Sequence, residues 1–292
     1  MAIRNNEERM GARQRNSGDP PPLQVEDQKV ENTKEAPPPP IAFSTPTEFV
    51  DLPSKGMFYA EGHPLHGKDS IEIRYMTARD EDILTSKSLL KKGIAIDRLL
   101  QNVIVDKNVE VEQLLIGDKN ALVIAARITG YGADYSTKLM CPACGTHTQT
   151  SIDLGEVPHA EVEFPEEVDR TANGTFIIIP PRTEAQVEVK LLTGVDEKKL
   201  AKTIAFKKKK NLPESTLTDQ LRLSIVSVNG TKEPNMINLF IGALPASDAR
   251  YIRDLYSKIM PNVDMKHEFE CPACGYEQEA EVPFTTDFFW PK

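Results

Sequence analysis

All four cysteines of this 292-residue chain fall in two copies of one pentapeptide, Cys-Pro-Ala-Cys-Gly: Cys141 and Cys144 in the first, Cys271 and Cys274 in the second. Few features restrict a fold more. A Cys-x-x-Cys turn aims two sulfurs at one point, and two such turns supply the four soft ligands that a tetrahedral structural zinc site requires. The glycine after each second cysteine permits the left-handed backbone that closes such a turn. From Cys144 to Cys271 the motifs lie 127 residues apart, far more than in a local finger, so one shared ion demands that distant parts of the chain meet. We expect one structural zinc ion held by Cys141, Cys144, Cys271 and Cys274. Closed coordination by four thiolates leaves no position for water or substrate, so such a metal staples and does not catalyse. Thioredoxin-like redox chemistry fits less well, because that motif follows a strand and opens a helix, whereas period-two strand patterns follow both copies here. Free thiols at a decayed site and an iron cluster are the other readings. His147, three residues after the first motif, is the one histidine placed to replace a cysteine ligand.

A repeat accounts for the distance. Ile71-Glu-Ile-Arg-Tyr-Met-Thr77, followed by Asp80 and Glu81, reads against Val187-Glu-Val-Lys-Leu-Leu-Thr193, followed by Asp196 and Glu197, at one offset of 116 residues. In each copy the alternation predicts a half-buried strand, the threonine caps a helix, and the acids of the first turn meet the positive end of the helix dipole. Ile96, Leu99, Leu100, Val103 and Ile104 recur at helical spacing, and Asp97, Leu99 and Val103 answer to Asp219, Leu221 and Ile225. A helix carrying Leu122, Ala125, Ala126 and Ile128 after an Asp118 cap answers to a Ser247-Asp248 helix carrying Tyr251, Ile252, Leu255 and Tyr256. The cysteine motifs then coincide at an offset of 130, and Ile152 and Leu154 stand where Val282 and Phe284 stand in the second copy. The expected class is α+β: internally duplicated β-hairpin/helix units with paired zinc-ribbon-like knuckles. A pseudo-twofold axis would bring the knuckles together and bury like faces in one continuous core.

The boundaries follow from composition. Residues 1–41 are polar and end in Pro37 to Pro40, so they read as a disordered Pro-rich arm, either dispensable or ordering against a partner. Residues 42–154 form the first repeat, 155–175 a linker, and 176–292 the second repeat. Phe49 to Gly56 reads as a short strand closed by a Pro/Ser/Gly turn, with Met57-Phe58-Tyr59 as the return of a hairpin. Phe176 to Ile179 is an apolar strand, and Phe206 to Pro213, with Lys207 to Lys210, is a loop inserted in the second copy. That basic run is a solvated surface or a docking patch for an acidic partner.

Several functions are disfavoured. No apolar run is long enough to span a bilayer, and MAIRNNEERM lacks the apolar stretch of a secretory leader, so a cytoplasmic chain without membrane partners is expected. The net charge of -9, with Glu268, Glu270, Glu277, Glu279 and Glu281 around the second motif, repels phosphate backbones and argues against nucleic acid. His63, His66, His159 and His267 show no metal or nucleophile-base spacing, and no phosphate loop or nucleophile elbow occurs. The chain does not read as an enzyme.

Leu52-Pro53-Ser54-Lys55-Gly56-Met57-Phe58-Tyr59, then Ile73-Arg74-Tyr75-Met76-Thr77 with Asp80, Glu81 and Leu84, and the terminal Asp287-Phe288-Phe289-Trp290 resemble the baseplate hub and hub-assembly proteins of T-even-type contractile-tail bacteriophages. The resemblance covers residues 45 to 292. It implies a non-enzymatic part of tail morphogenesis, built into the baseplate hub or escorting hub and tape-measure components as a chaperone absent from the virion. Its partners would be phage tail proteins and its place the host cytoplasm during assembly or the virion baseplate; two-, three- and six-fold assemblies all remain open. Phe284, Phe288, Phe289 and Trp290 form an aromatic cluster that packs on the chain's own core or anchors a partner.

Overall fold

Strand β1 (Thr47–Asp51) alternates exposed and half-buried residues and pairs antiparallel with β2 (Ser70–Arg74), Phe49 opposite Glu72. The computed structural model describes residues 44–160, 162–281 and 286–289. The expected arm, Val282, Phe284 and Trp290 lie outside them. The hairpin expected within residues 49–59 does not form, because Met57, Phe58 and Tyr59 sit in turns and Phe58 and Tyr59 are buried. Their rings do more there than as strand residues. The Tyr59 hydroxyl donates to Asp118 Oδ2 at 2.7 Å and itself accepts from the Leu115 amide.

After β2 come α1 (Ala78–Thr85), α2 (Lys87–Lys92), α3 (Ala95–Val103) and α4 (Ile116–Tyr131). Thr77 opens α1 with a reciprocal capping box to Asp80, as its spacing predicts. Asp80 is fully buried and accepts from both Arg74 guanidinium nitrogens, at 2.7 and 2.9 Å, and from Asn102. Burial alone would raise its carboxyl, but Arg74, Thr77 and Asn102 prevail and draw it from 3.8 to about 2. A depressed carboxylate contributes stability that is full above its unfolded value and fades as pH falls through its folded one. Unfolding free energy should therefore decline as pH drops from 3.8 toward about 2, and Asp80→Asn should flatten that decline in urea titrations.

Helix α4 starts at Ile116, with Leu115 as its cap residue, so Asp118 stands at the third helical position and not at the cap. Its carboxylate serves another segment: Oδ1 accepts from the Ser54 amide at 2.9 Å, and Oδ2 accepts from the Ser54 hydroxyl at 2.6 Å as well as from Tyr59. Burial raises this carboxyl against the pull of Ser54 and Tyr59. The hairpin β3 (Asp134–Met140) and β4 (His147–Asp153) closes this half.

The second half builds a four-stranded antiparallel sheet in the order β5 (Val168–Arg170), β6 (Thr175–Ile178), β7 (Val187–Lys190), β8 (Ile225–Val228). Val168–Arg170, in the stretch read as a linker, is thus the edge strand of this sheet. Ile177 faces Glu188 as Phe49 faces Glu72, and a left-handed φ follows in each connection, 48° at Lys55 between β1 and β2 and 49° at Glu184 between β6 and β7. Helix α5 (Gly194–Lys209) opens with the Thr193/Asp196 capping box, and Lys190 bridges to Asp196 at 2.7 Å where Arg74 bridges to Asp80.

One expectation fails here. Phe206 to Lys209 continue α5, and the chain turns only at Asn211. Lysine is a good helix former, and a cationic last turn complements the carboxyl end of the dipole, so this basic run extends the helix. Then follow α6 (Thr216–Ser224), α7 (Pro234–Ala243), α8 (Ala246–Ile259) and the hairpin β9 (Lys266–Glu270) with β10 (Glu277–Glu281).

One hydrophobic core runs through both halves, taking Leu99, Leu100 and Leu122 from the first and Phe176, Val187, Val189 and Ile252 from the second. The Gly194 amide donates to Leu114 O and the Ile116 amide to Leu192 O across the junction. Lys119 adds ion pairs to Asp97 at 2.8 Å and Glu197 at 2.6 Å, and Lys198 pairs with Asp97 and Glu112. Phe288 and Phe289 are buried in this core, Phe288 against Tyr135 at 4.9 Å, with its carbonyl accepting from the buried Arg127. Those two aromatics pack on the chain itself. Among the described residues no helix is long and apolar enough to cross a membrane.

Candidate metal centre

Each Cys-Pro-Ala-Cys-Gly stretch is the tip of a two-stranded hairpin. Register places Met140 opposite His147 in the first and Glu270 opposite Glu277 in the second, so the six residues between the strand ends form the turn in both. The turns are superposable in their hydrogen bonds. The Cys141 amide donates to Thr146 O at 2.9 Å and the Gly145 amide to Cys141 O at 2.8 Å; the Cys271 amide donates to Tyr276 O at 2.9 Å and the Gly275 amide to Cys271 O at 2.8 Å. Gly145 and Gly275 have φ of 72° and 67°, in the region that a side chain makes costly, which explains a glycine after each second cysteine.

The two tips face each other. Cys141 Sγ lies 3.7 Å from Cys274 Sγ, and Cys144 Sγ lies 3.6 Å from Cys271 Sγ. All four sulfurs lie within 4.8 Å of one another. For four thiolates around one zinc at about 2.3 Å, the sulfur-to-sulfur edge of a tetrahedron is about 3.8 Å. The donor set therefore fits such an ion in both chemistry and spacing. In each turn the first cysteine is buried and the second exposed, so the centre sits at the surface with its inner wall covered. Leu139 and Phe269 pack against Cys141 and Cys271 in a cluster separate from the main core.

The thiols do not behave alike without a cation. Thr146 hydroxyl and amide draw Cys144 down to about 6. At Cys274 the Tyr276 amide favours the thiolate, but Cys144, burial and the other two cysteines oppose it and push the thiol up to about 12. A divalent cation among the four sulfurs would favour the thiolate at each by its own charge.

All four predicted ligands meet, and His147 is not among the grouped donor atoms. Among the described residues this is the one group of three or more cysteine, histidine or acidic side chains close enough to share an ion. Two other histidines pack on Tyr59: His66 Nδ1 lies 2.7 Å from Tyr59 O, and the His63 ring stacks on Tyr59 at 4.3 Å. Sequence reasoning gave Asp118 a capping role and missed that its buried carboxylate serves Ser54 and Tyr59. The signal was a serine in the turn Pro53-Ser54-Lys55-Gly56 whose amide and hydroxyl both needed an acceptor.

Over residues 46–290 the chain matches a family model described as T4 bacteriophage base plate protein. No curated protein and no solved structure matches it.

Proposed function

The chain belongs to the T4 bacteriophage base plate protein family, and on that premise we propose that it serves the baseplate hub as a non-enzymatic structural or hub-assembly protein, the knuckles of its two duplicated halves stapled by one zinc ion. The observation that carries the zinc reading is the meeting of four thiols from two motifs repeated at an offset of 130 residues, at the spacing of a tetrahedral site. Duplication is supported by features that recur in order: the Thr77/Asp80 and Thr193/Asp196 boxes, the matched registers of β1–β2 and β6–β7, and the matched knuckle turns. Equivalent knuckles meeting at one point are what an approximate twofold axis between the halves produces.

The ion would hold surface hairpins together and leave the main core to hold the halves, which suits a part that must keep one shape among tail partners. The exposed carboxylates of Glu268, Glu270, Glu277 and Glu279 beside the second knuckle oppose a phosphate backbone, so tail proteins, including the tape measure, are the proposed partners, met in the host cytoplasm during assembly. Quantitative mass spectrometry of purified particles against infected-cell lysate tests the role. A hub component appears in both at fixed stoichiometry to other baseplate proteins. Presence in the lysate with absence from the particle would overturn the structural reading in favour of a transient tail-assembly chaperone.

A further inference from the structure

Helix α5 leaves the body of the protein. Residues 201–206 are all exposed, so every face of its last turns meets solvent, including Ile204 and Phe206. Leu212 and Leu217, at the corner leading into α6, are exposed as well. Between these apolar groups stand the exposed Lys202, Lys208, Lys209 and Lys210. The prong is braced: Lys207 reaches back to Ser215 and, at 2.6 Å, to Asp219 in α6. Its shape is therefore set before any partner arrives.

The knuckle end carries the complementary surface. In β9–β10, Glu268 stands opposite Glu279 and Glu270 opposite Glu277, all exposed, so two like-charged pairs face each other directly. Such pairs destabilise a sheet unless a cation lies over them. Among the described residues one ion pair, Lys266–Glu279 at 3.7 Å, reaches this face. Tyr276, exposed at the tip, precedes Glu277 in the chain, and its hydroxyl donates to Gln278 Oε1 at 3.5 Å.

We propose that the α5–α6 prong of one copy docks on the β9–β10 hairpin of a second copy, lysines over glutamates, with Ile204, Phe206 and Leu217 covered by the contact. No ion pair joins the two surfaces within a chain among the described residues, and the contact is between unlike surfaces. Assembly is either a reciprocal twofold dimer, each prong on the other copy's hairpin, or a head-to-tail ring or filament. Exposed charges are screened by salt, so the association weakens as ionic strength rises. The proposal goes beyond the hub reading and fails separately from it, since metal content and mass are measured independently.

Sedimentation velocity of the full chain at low salt, over a concentration series, tests it. The weight-average mass should rise to about twice the monomer value or more and fall back at high salt. K208E/K209E/K210E should remain monomeric, and so should E268K/E277K, which turns each like-charged cross-strand pair into an opposite one and so does not penalise the hairpin itself. Phe206→Ser with Leu217→Ser, which changes no charge, should also disperse the assembly; circular dichroism matching the wild type qualifies each variant. Mixing the two charge variants is the decisive arm: the intact prong of E268K/E277K meets the intact hairpin of K208E/K209E/K210E, and the reversed prong meets the reversed hairpin with opposite charges again facing, so association returns in the mixture alone. A wild type that stays monomeric at every concentration, an assembly indifferent to these substitutions, or a mixture that stays monomeric overturns the proposal.

Discussion

Replacing Cys271 by serine is expected to abolish metal binding and to open the knuckle end of the protein while most of the main core stays folded. The reasoning lies in how the hydrophobic groups are divided. Cys141, Phe269 and Cys271, with Leu139 packed on them, form a cluster of their own, while the core that joins the halves draws on α3, α4, α8 and the four-stranded sheet. A two-stranded hairpin is marginal in water by itself, and two of them sharing so few buried groups need a cross-link. Four-thiolate zinc sites bind with apparent free energies on the order of 10 kcal/mol, as much as the stability of a whole domain, so losing one ligand removes most of what holds the tips together. Limited proteolysis should show new cleavage in residues 134–153 and 266–281, and the far-ultraviolet helical signal should change little. Equal protease resistance of the variant and the wild type would show that the knuckles need no staple.

The second large effect is expected at Asp118. Its carboxylate accepts from the Ser54 amide, the Ser54 hydroxyl and the Tyr59 hydroxyl in a site sealed from solvent. Asp118→Ala leaves three buried donors without an acceptor and frees the turn that carries the left-handed Lys55. A loss of about 3–5 kcal/mol follows from breaking such a network, read as a lower urea midpoint with an unchanged slope. Asp248 holds the corresponding third position of α8 and is just as buried, yet among the described residues it accepts one hydrogen bond, from the Thr183 amide at 2.8 Å, and its Oδ1 has no partner. Asp248→Ala should therefore cost clearly less, and equal losses at the two positions would contradict this account of Asp118.

Much of this architecture is legible in the residues because the signals are local or repeated. Thr77 with Asp80 and Thr193 with Asp196 are helix starts that need only four residues to form, and both form. The cysteine turns are equally local, and their likeness is what suggests that distant sulfurs meet. Failures occur where local composition competes with a longer element. Lys207 to Lys209 look like a loop in isolation, but they follow a well-capped helix and continue it. Met57 to Tyr59 look like a returning strand, but Tyr59 is drawn instead to Asp118, 59 residues away, a partner that periodicity cannot name. Helix α7 went unread because it has no charged residue and buries only Ile237 and Ile241, leaving little amphipathic pattern. The family resemblance carried by Leu52 to Tyr59 and the C-terminal aromatics holds over residues 46–290, whereas the hub assignment rests on proposal.

The central claim is that two matching knuckles share one ion. Elemental analysis of the purified full-length protein, paired with titration of its thiols before and after denaturation in chelator, tests it most directly. The account predicts one zinc per chain, four thiols that do not react in the folded protein, and all four reacting once the metal is removed. Protein with no zinc and four freely titratable thiols in the folded state would contradict it.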